Sequence, residues 1–226
     1  MKSLDANRAL VLLSGGQDST TCLYWALSKF PKVHALCFEY GQRHRIELEC
    51  ARKIAERAGV ELTMLSLSGL AELGGNALTG DLPVESKPGG DGLPNTFVPG
   101  RNIIFLSYAA AYAYQHNIRH LILGVCQTDY SGYPDCRDVT LKAALRSLSL
   151  GMEANFELHT PLMFLTKAET IALAKEVGGL EELAYSHTCY NGDRPPCGDC
   201  PACQLRAKGF AEAGEQDPLL NIESQK

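Results

Sequence analysis

Long apolar runs are missing from this sequence. No stretch approaches the roughly 18–20 consecutive apolar residues that a membrane-spanning helix needs. No secretory leader is expected either: Met1–Arg8 is polar and opens onto a short apolar run, without the longer apolar region and small-residue cleavage site of such a signal. These two absences lead to the expectation of a cytoplasmic protein without membrane contact. Basic charge is not in excess, since Lys+Arg number 21 against Asp+Glu 26 for a formal net charge of −5. That balance weighs against a dedicated nucleic-acid binder with a basic face. No glycine-rich loop ends in Gly-Lys-Ser/Thr, which excludes a Walker-type nucleotide site. Internal repeats and coiled-coil heptads are also lacking, which excludes repeat arrays and long coiled coils.

What is present suits one domain with at most a small appendage: 226 residues, 45% of them hydrophobic. A chain of this length can bury roughly 70–75% of its unfolded surface and needs no disulfides to hold a core. Its nine cysteines are odd in number, and four of them crowd into one C-terminal stretch. In a reducing compartment that crowding reads as metal binding.

Along the chain, Ala9–Leu13 is a short, continuously apolar run bounded by Ser-Gly-Gly, as expected of a strand buried on both faces. A helix is predicted over 18–29, a strand over 33–38, a helix over 45–58 stopped by Gly59, and a strand over 60–65. This alternation predicts an α/β fold, a Rossmann-like doubly wound parallel sheet with right-handed crossovers. From about Ser66 to Pro99 the chain is rich in Gly, Pro and polar residues, and is expected to border the active site as a partly disordered loop. Regular structure should resume with a helix over 102–116, a strand over 120–125, a helix over 139–150 and a helix over 167–177. Thr166 and Glu169 form a capping box at the start of the last.

Ser14-Gly15-Gly16-Gln17-Asp18-Ser19 lies between the first strand and the first helix. A helix N-terminus offers free N–H groups and the positive end of its macrodipole, and glycines let the backbone approach an anion closely. Ser14 and Ser19 can add hydroxyl donors. Asp18, a like charge to phosphate, is better suited to helping hold Mg²⁺. A tight turn before a helix would account for one or two glycines but not for the whole string. The segment resembles the phosphate loop of the N-type ATP pyrophosphatases, or PP-loop superfamily, whose members adenylate a carbonyl oxygen and release pyrophosphate.

The second signal is Cys189-x7-Cys197-x2-Cys200-x2-Cys203. Four thiolates satisfy tetrahedral Zn²⁺ with no open position, which marks a structural site. An iron–sulfur cluster could use the same four ligands. Pro195-Pro196, Gly198 and Pro201 are expected to supply turns. Cys22, Cys37 and Cys50 fall on helix or strand positions and are expected to be core residues, whereas Cys126 and Cys136 are left open.

Taken in order, several segments carry a resemblance: Ser14–Thr21, Tyr40-Gly41-Gln42-Arg43-His44, Phe97-Val98-Pro99-Gly100-Arg101-Asn102, Ser131-Gly132-Tyr133-Pro134-Asp135-Cys136-Arg137, Thr160-Pro161-Leu162-Met163, Thr166-Lys167-Ala168-Glu169 and the four cysteines. Nearly end to end, the chain resembles the 7-cyano-7-deazaguanine synthase (QueC) family of queuosine biosynthesis. The resemblance implies a carbon–nitrogen ligase that converts 7-carboxy-7-deazaguanine and ammonia to the nitrile with ATP, and a homodimer. It implies ATP with Mg²⁺ and one structural Zn²⁺ per chain as cofactors, small molecules as substrates, and no direct nucleic-acid contact. The expected organisation is a nucleotide-binding domain over 1–185, with an adenine nucleotide alpha hydrolase-like fold, and a zinc-binding segment over 186–226 packed on it.

Beyond the loop, Arg101 follows a Pro-Gly turn at a helix start and could meet a carboxylate or phosphate. Asp129, Ser131, Asp135 and Arg137 follow a predicted strand, at the sheet edge where open α/β folds bind ligands. Arg43 and His44 share that edge, and Lys167 begins a helix. Arg101, Asp135 and Arg137 rank highest, because Pro and Gly neighbours fix their backbones. His187 lies beside a site already filled by four sulfurs, and His34, His116, His120 and His159 read as structural. Rival readings on the same loop are a tRNA sulfur-transferase, which would need redox cysteines and a basic face, and another ATP-dependent amide-forming ligase. A zinc-ribbon interaction module would leave the phosphate loop unexplained.

Overall fold

The computed structural model describes residues 1–42, 45–79, 93–128 and 132–223. Five parallel strands form one sheet: β1 (Asp5–Leu12), β2 (Lys32–Glu39), β3 (Glu61–Ser66), β4 (Ile118–Ile122) and β5 (Glu157–His159). Their order is β3-β2-β1-β4-β5. Leu10 stands beside His34 on one flank and Leu121 on the other. The chain winds outward from β1 in both directions, so the carboxyl ends of β1 and β4 flank the crevice where such sheets bind ligands. The predicted doubly wound sheet is therefore the observed one.

Strand alternation divides the core into two layers. Ala9, Val11 and Leu13 point to helices α1 (Gln17–Lys29) and α2 (Ile46–Ala58), where they meet Cys22, Leu23, Ala26, Ala51 and Ile54. Leu10, Leu36 and Leu121 point the other way, toward α4 (Arg101–Gln115) and α5 (Asp138–Gly151), through Leu106, Ala109, Ala110, Ala113 and Leu141. Cys22, Cys37 and Cys50 are buried core residues, as expected. Burial raises all three thiols, Cys37 to about 12, which keeps them protonated and unreactive.

The structure departs from the sequence expectations at short elements. Strand β4 begins at Ile118 and ends at Ile122 rather than running from 120 to 125. Strand β5 has only three residues, too few to show a period. The flanks of the 66–99 segment are packed rather than loose. A one-turn helix, α3 (Gly69–Glu72), occurs there, and Leu67, Leu70, Ala77 and Val98 are buried. Four spaced apolar anchors outweigh the glycines around them. The remainder of that segment, 80–92, lies outside the described residues.

Helix α6 (Lys167–Glu176) begins with the expected capping box of Thr166 and Glu169. Pro201 is not a turn residue: it is the first residue of α7 (Pro201–Ala213), a position that suits its missing N–H. Helices α6 and α7 lie together around Ile171, Ala174, Leu183 and Phe210. A Cβ on Gly209 would come within 2.8 Å of the Lys167 Cβ, so the approach depends on the missing side chain. Behind this pair, Arg206 is 4% exposed and bonds Asp217 through two nitrogens at 2.6 and 2.8 Å. It also donates to Ser186 Oγ, Thr188 Oγ1 and the Leu183 carbonyl. A last short helix, α8 (Pro218–Glu223), follows. Among the described residues no helix is long and apolar enough to cross a membrane.

Breaking a buried ion pair strands its partner's charge, at a cost of about 3–5 kcal/mol. Asp217→Ala is therefore expected to lower the unfolding free energy by about that much in urea titrations. A loss under about 1 kcal/mol would mean that solvent, rather than Asp217, supports Arg206.

Candidate active site

The phosphate-loop string forms the turn from β1 into α1. Gly15 has φ +87, and a Cβ there would lie 2.2 Å from the Glu47 carbonyl oxygen of α2. Any other residue would be strained and would clash with backbone. Gly16 is the N-cap of α1 and no side chain caps that end, which leaves the helix start open toward an anion. The serines brace the turn: Ser19 Oγ accepts from the Ser14 N–H at 3.2 Å and donates to the Gly16 carbonyl at 3.0 Å. Gly124, just beyond β4, packs against the same helix start, where a Cβ would meet the Asp18 carbonyl carbon and the Ser19 nitrogen at 3.0 Å.

Asp18 Oδ2 is bonded by Lys167 Nζ at 2.6 Å, across 149 residues of sequence. Among the described residues its Oδ1 is buried without a hydrogen-bond partner, as is Gln17 Nε2 beside it. Buried polar atoms are nearly always satisfied, and a carboxylate oxygen left over beside an anion site is suited to a hard cation.

Across the crevice, Arg101 opens α4 after Gly100, which adopts the left-handed conformation with φ 72. Its Nη1 lies 3.5 Å from the Tyr40 hydroxyl. Asp135 is 4% exposed and its Oδ2 accepts the Asn102 N–H at 2.9 Å. It thus caps α4 from a separate segment and fixes the helix that carries Arg101. Its Oδ1 is another buried orphan. Tyr133 donates to or accepts from Thr96 Oγ1 at 2.5 Å and stacks on Phe97, with ring centroids 5.5 Å apart. Glu47 lies in the same space. Burial pushes its carboxyl from 4.5 up to about 7, and the Arg101 charge opposes that rise. Tyr190 is raised by burial, and it senses Tyr133, Arg101, Lys167 and Glu47 together. Arg101 and Lys167, which bonds Asp18, therefore both lie near enough to Tyr190 to act on its charge.

The four C-terminal sulfurs converge within 4.8 Å of one another. Cys197 and Cys203 Sγ are 3.9 Å apart, far beyond a disulfide bond and near the roughly 3.8 Å spacing of sulfurs around tetrahedral zinc. Backbone N–H groups of Cys200 and Asp199 lower the Cys197 thiol to about 7, and they would stabilise a metal-bound thiolate. Cys189, Cys200 and Cys203 are buried. The donor set is closed and fits structural zinc. This cluster is joined to the phosphate loop: the His187 N–H donates to the Gly15 carbonyl at 2.9 Å, and His187 Nε2 lies 2.9 Å from the Cys189 carbonyl oxygen.

Of the sequence-predicted residues, Ser14, Gly15, Gly16, Gln17, Asp18 and Ser19 form the loop, and Lys167 joins them. Arg101 and Asp135 meet at the start of α4. Arg137 is exposed at the N-cap of α5, with no side-chain hydrogen bond or ion pair to the described residues. Arg43, His44, Asp129 and Ser131 lie outside the described residues. Cys126 Sγ, left open by the sequence, bonds the Leu165 carbonyl at 3.2 Å, and Cys136 Sγ accepts from Asn102 Nδ2 at 3.2 Å. Sequence reasoning assigned no role to Glu47, Tyr40, Tyr133 or Tyr190. Tyr40 and Tyr133 stood inside quoted motifs, but nothing local distinguishes Glu47 from the other acidic residues of its helix.

A glycine-tight helix start without a Walker lysine, at the carboxyl edge of a doubly wound parallel sheet, is the arrangement of an α/β nucleotide-binding fold. Solved structures share the fold. An NMN synthetase from Francisella tularensis matches at TM-score 0.51 and 17% identity, over 95% of this chain and 81% of its own. A 4-thiouridine synthetase, solved in complex with RNA and bound ATP, matches at TM-score 0.51 and 18% identity, over 96% of this chain and 52% of its own. Residues 8–214 match the family described as "Queuosine biosynthesis protein QueC", and the chain belongs to it. Relatives named 7-cyano-7-deazaguanine synthase include those of Chromobacterium violaceum, 62% identical over 97% of this chain and 96% of the relative, and Laribacter hongkongensis, 60% identical over 96% of each.

Glu47 generates a pH prediction. Its folded-state value of about 7 lies above its ordinary 4.5, so the folded protein holds that proton more tightly than the unfolded chain. The stabilising contribution is complete below about 4.5 and is lost as pH rises through about 7. Glu47→Gln cannot ionise, and it should gain stability relative to the parent between about pH 5 and about pH 8 in urea titrations. A difference that stays constant over that range would contradict a raised Glu47.

Proposed function

We propose that this chain converts 7-carboxy-7-deazaguanine and ammonia to 7-cyano-7-deazaguanine, at the expense of ATP, through an adenylated carboxylate and then an adenylated amide. The observation that supports this reading is membership of the QueC family, together with a glycine-tight helix start whose Asp18 is braced by Lys167.

The chemistry follows from the substrate. A carboxylate is a poor electrophile. Its oxygen attacks the α-phosphorus of ATP, pyrophosphate leaves, and the acyl-adenylate forms. Ammonia attacks the carbonyl carbon, AMP departs, and the primary amide remains. The amide oxygen is then adenylated by a second ATP. Loss of AMP and of the two N–H protons leaves the nitrile.

Each residue has a role that its surroundings suit. The open N-terminus of α1, with Ser14 and Ser19, receives the phosphates. Magnesium, held through Asp18 Oδ1, would neutralise charge on the phosphate oxygens. Lys167 keeps Asp18 in place. Arg101 meets the substrate carboxylate or the α-phosphate, and Asp135 sets the helix start that carries it. Glu47, titrating near neutrality, is suited to take protons from the attacking nitrogen. Arg137 stands at the rim. One structural zinc per chain, on Cys189, Cys197, Cys200 and Cys203, holds the 186–226 segment against the 1–185 nucleotide domain. The family resemblance favours a cytoplasmic homodimer acting on small molecules.

Both rounds present a carbonyl-type oxygen to the same α-phosphate, so the synthetic amide should itself be a substrate. With the purified protein, the amide is expected to give nitrile with ATP alone, consuming about half the ATP per nitrile that the carboxylate requires. ¹⁵N-ammonium supplied with the carboxylate should appear in the product by mass spectrometry. Refusal of the amide under conditions where the carboxylate turns over, or glutamine outperforming ammonium, would overturn the scheme.

A further inference from the structure

His120, Glu157 and His159 bring three ligand atoms within 4.8 Å of one another, in a group separate from the cysteine cluster. The sheet register explains the meeting. His120 stands opposite Glu157, and Ile122 opposite His159, so residues of two adjacent parallel strands project to one face. The 13 residues of α1, about 20 Å of helix, separate the phosphate loop from Phe30 at the helix end. Phe30 packs on His120 and His159 with ring centroids 4.6 and 5.6 Å apart, and Trp25 on His159 at 5.5 Å. These rings fix the planes of both imidazoles.

Hydrogen bonding fixes the tautomer of His120. Its Nε2 lies 3.1 Å from the Ala6 carbonyl, which only accepts, so Nε2 carries the proton. The Nδ1 lone pair is then aimed into the cluster, 2.9 Å from His159 Nε2 and 3.2 Å from Glu157 Oε2. Arg119 bonds the other carboxylate oxygen, Oε1, which leaves Oε2 directed at the imidazoles. Hydrogen bonding alone joins all three only if His120 Nδ1 carries a second proton, which makes the ring itself the cation; with Nε2 alone protonated, the Nδ1 lone pair faces Glu157. A cation satisfies all three groups at once.

The backbone carbonyl behind His120 and the guanidinium behind Glu157 are the outer-shell partners that orient metal ligands. Two imidazoles and one carboxylate suit zinc and its borderline neighbours rather than calcium or magnesium. Ligand atoms on tetrahedral zinc sit about 3.3 Å apart, so an opening of a few tenths of an ångström would admit the ion. We infer that His120, Glu157 and His159 form a second, three-ligand site for a zinc-type divalent ion, with its fourth position open to water. The ion ties the three-residue edge strand β5 to β4. The site escapes sequence analysis because its ligands come from strands almost 40 positions apart, with no motif spacing.

The test uses full-length, untagged protein whose four-cysteine site is already loaded with zinc. Calorimetric titration with zinc chloride is expected to show one further equivalent. In protein with cobalt at both sites, only the first equivalent should carry the intense thiolate-to-metal absorption. His159→Ala should weaken the second equivalent by more than about 10-fold and leave the first unchanged. Glu157→Gln, which keeps the side-chain shape, should weaken it in the same direction if the alanine variant folds poorly. Uptake of only the first equivalent by the parent protein, or unaltered binding of the second by a folded variant, would overturn the inference. The cluster would then be a hydrogen-bonded one.

Discussion

Everything at the candidate active site depends on the backbone at Gly15. The turn can enter α1 only because no side chain stands between Gly15 and the Glu47 carbonyl. The Gly15 carbonyl is in turn fixed by the N–H of His187, a residue 172 positions later in the chain. The anion-receiving end of α1 is therefore walled by α2 on one side and by the approach to the cysteine cluster on the other. Lys167 on Asp18 supplies a third brace, and α7 holds α6 there by packing closely at Gly209. The C-terminal cysteine cluster and the loop after the first strand are thus parts of one assembly.

The charges of the cleft follow from the same packing. Asp18 and Asp135 each use one oxygen, on Lys167 and on the start of α4, and each keeps a buried oxygen without a partner. Burial costs such groups solvation unless something pairs with them. Glu47, raised toward neutrality by burial, lies within reach of the Arg101 charge. A site arranged in this way is suited to charge that arrives with substrate and leaves with product, as phosphates and ammonium-derived protons do.

Much of this was legible in the sequence because it is local. A buried strand, a glycine turn and a helix start occupy consecutive residues, so the turn expected to receive phosphate could be placed directly. The capping box at Thr166 and the cysteine spacing are local patterns too. The family resemblance, carried by several motifs in order, pointed to the chemistry. What could not be read depends on distance along the chain. Glu47 becomes distinctive only when the fold buries it within reach of the Arg101 charge. The Arg206–Asp217 pair is buried only because α7 packs behind residues 183–188, and His187 reaches Gly15 only through the C-terminal path. At the flanks of the 66–99 segment, composition hides a few well-placed apolar anchors, Leu67, Leu70 and Val98 among them.

The central claim is that the metal-bound C-terminal segment holds the phosphate loop in shape. Hydrogen exchange of the backbone amides, compared between zinc-loaded and chelated protein, tests it most directly. Exchange is expected to rise after chelation both around Cys189–Cys203 and at Gly15–Ser19, while β1 and β4 keep their protection. Faster exchange confined to the cysteine segment, with the loop amides unchanged, would contradict the claim.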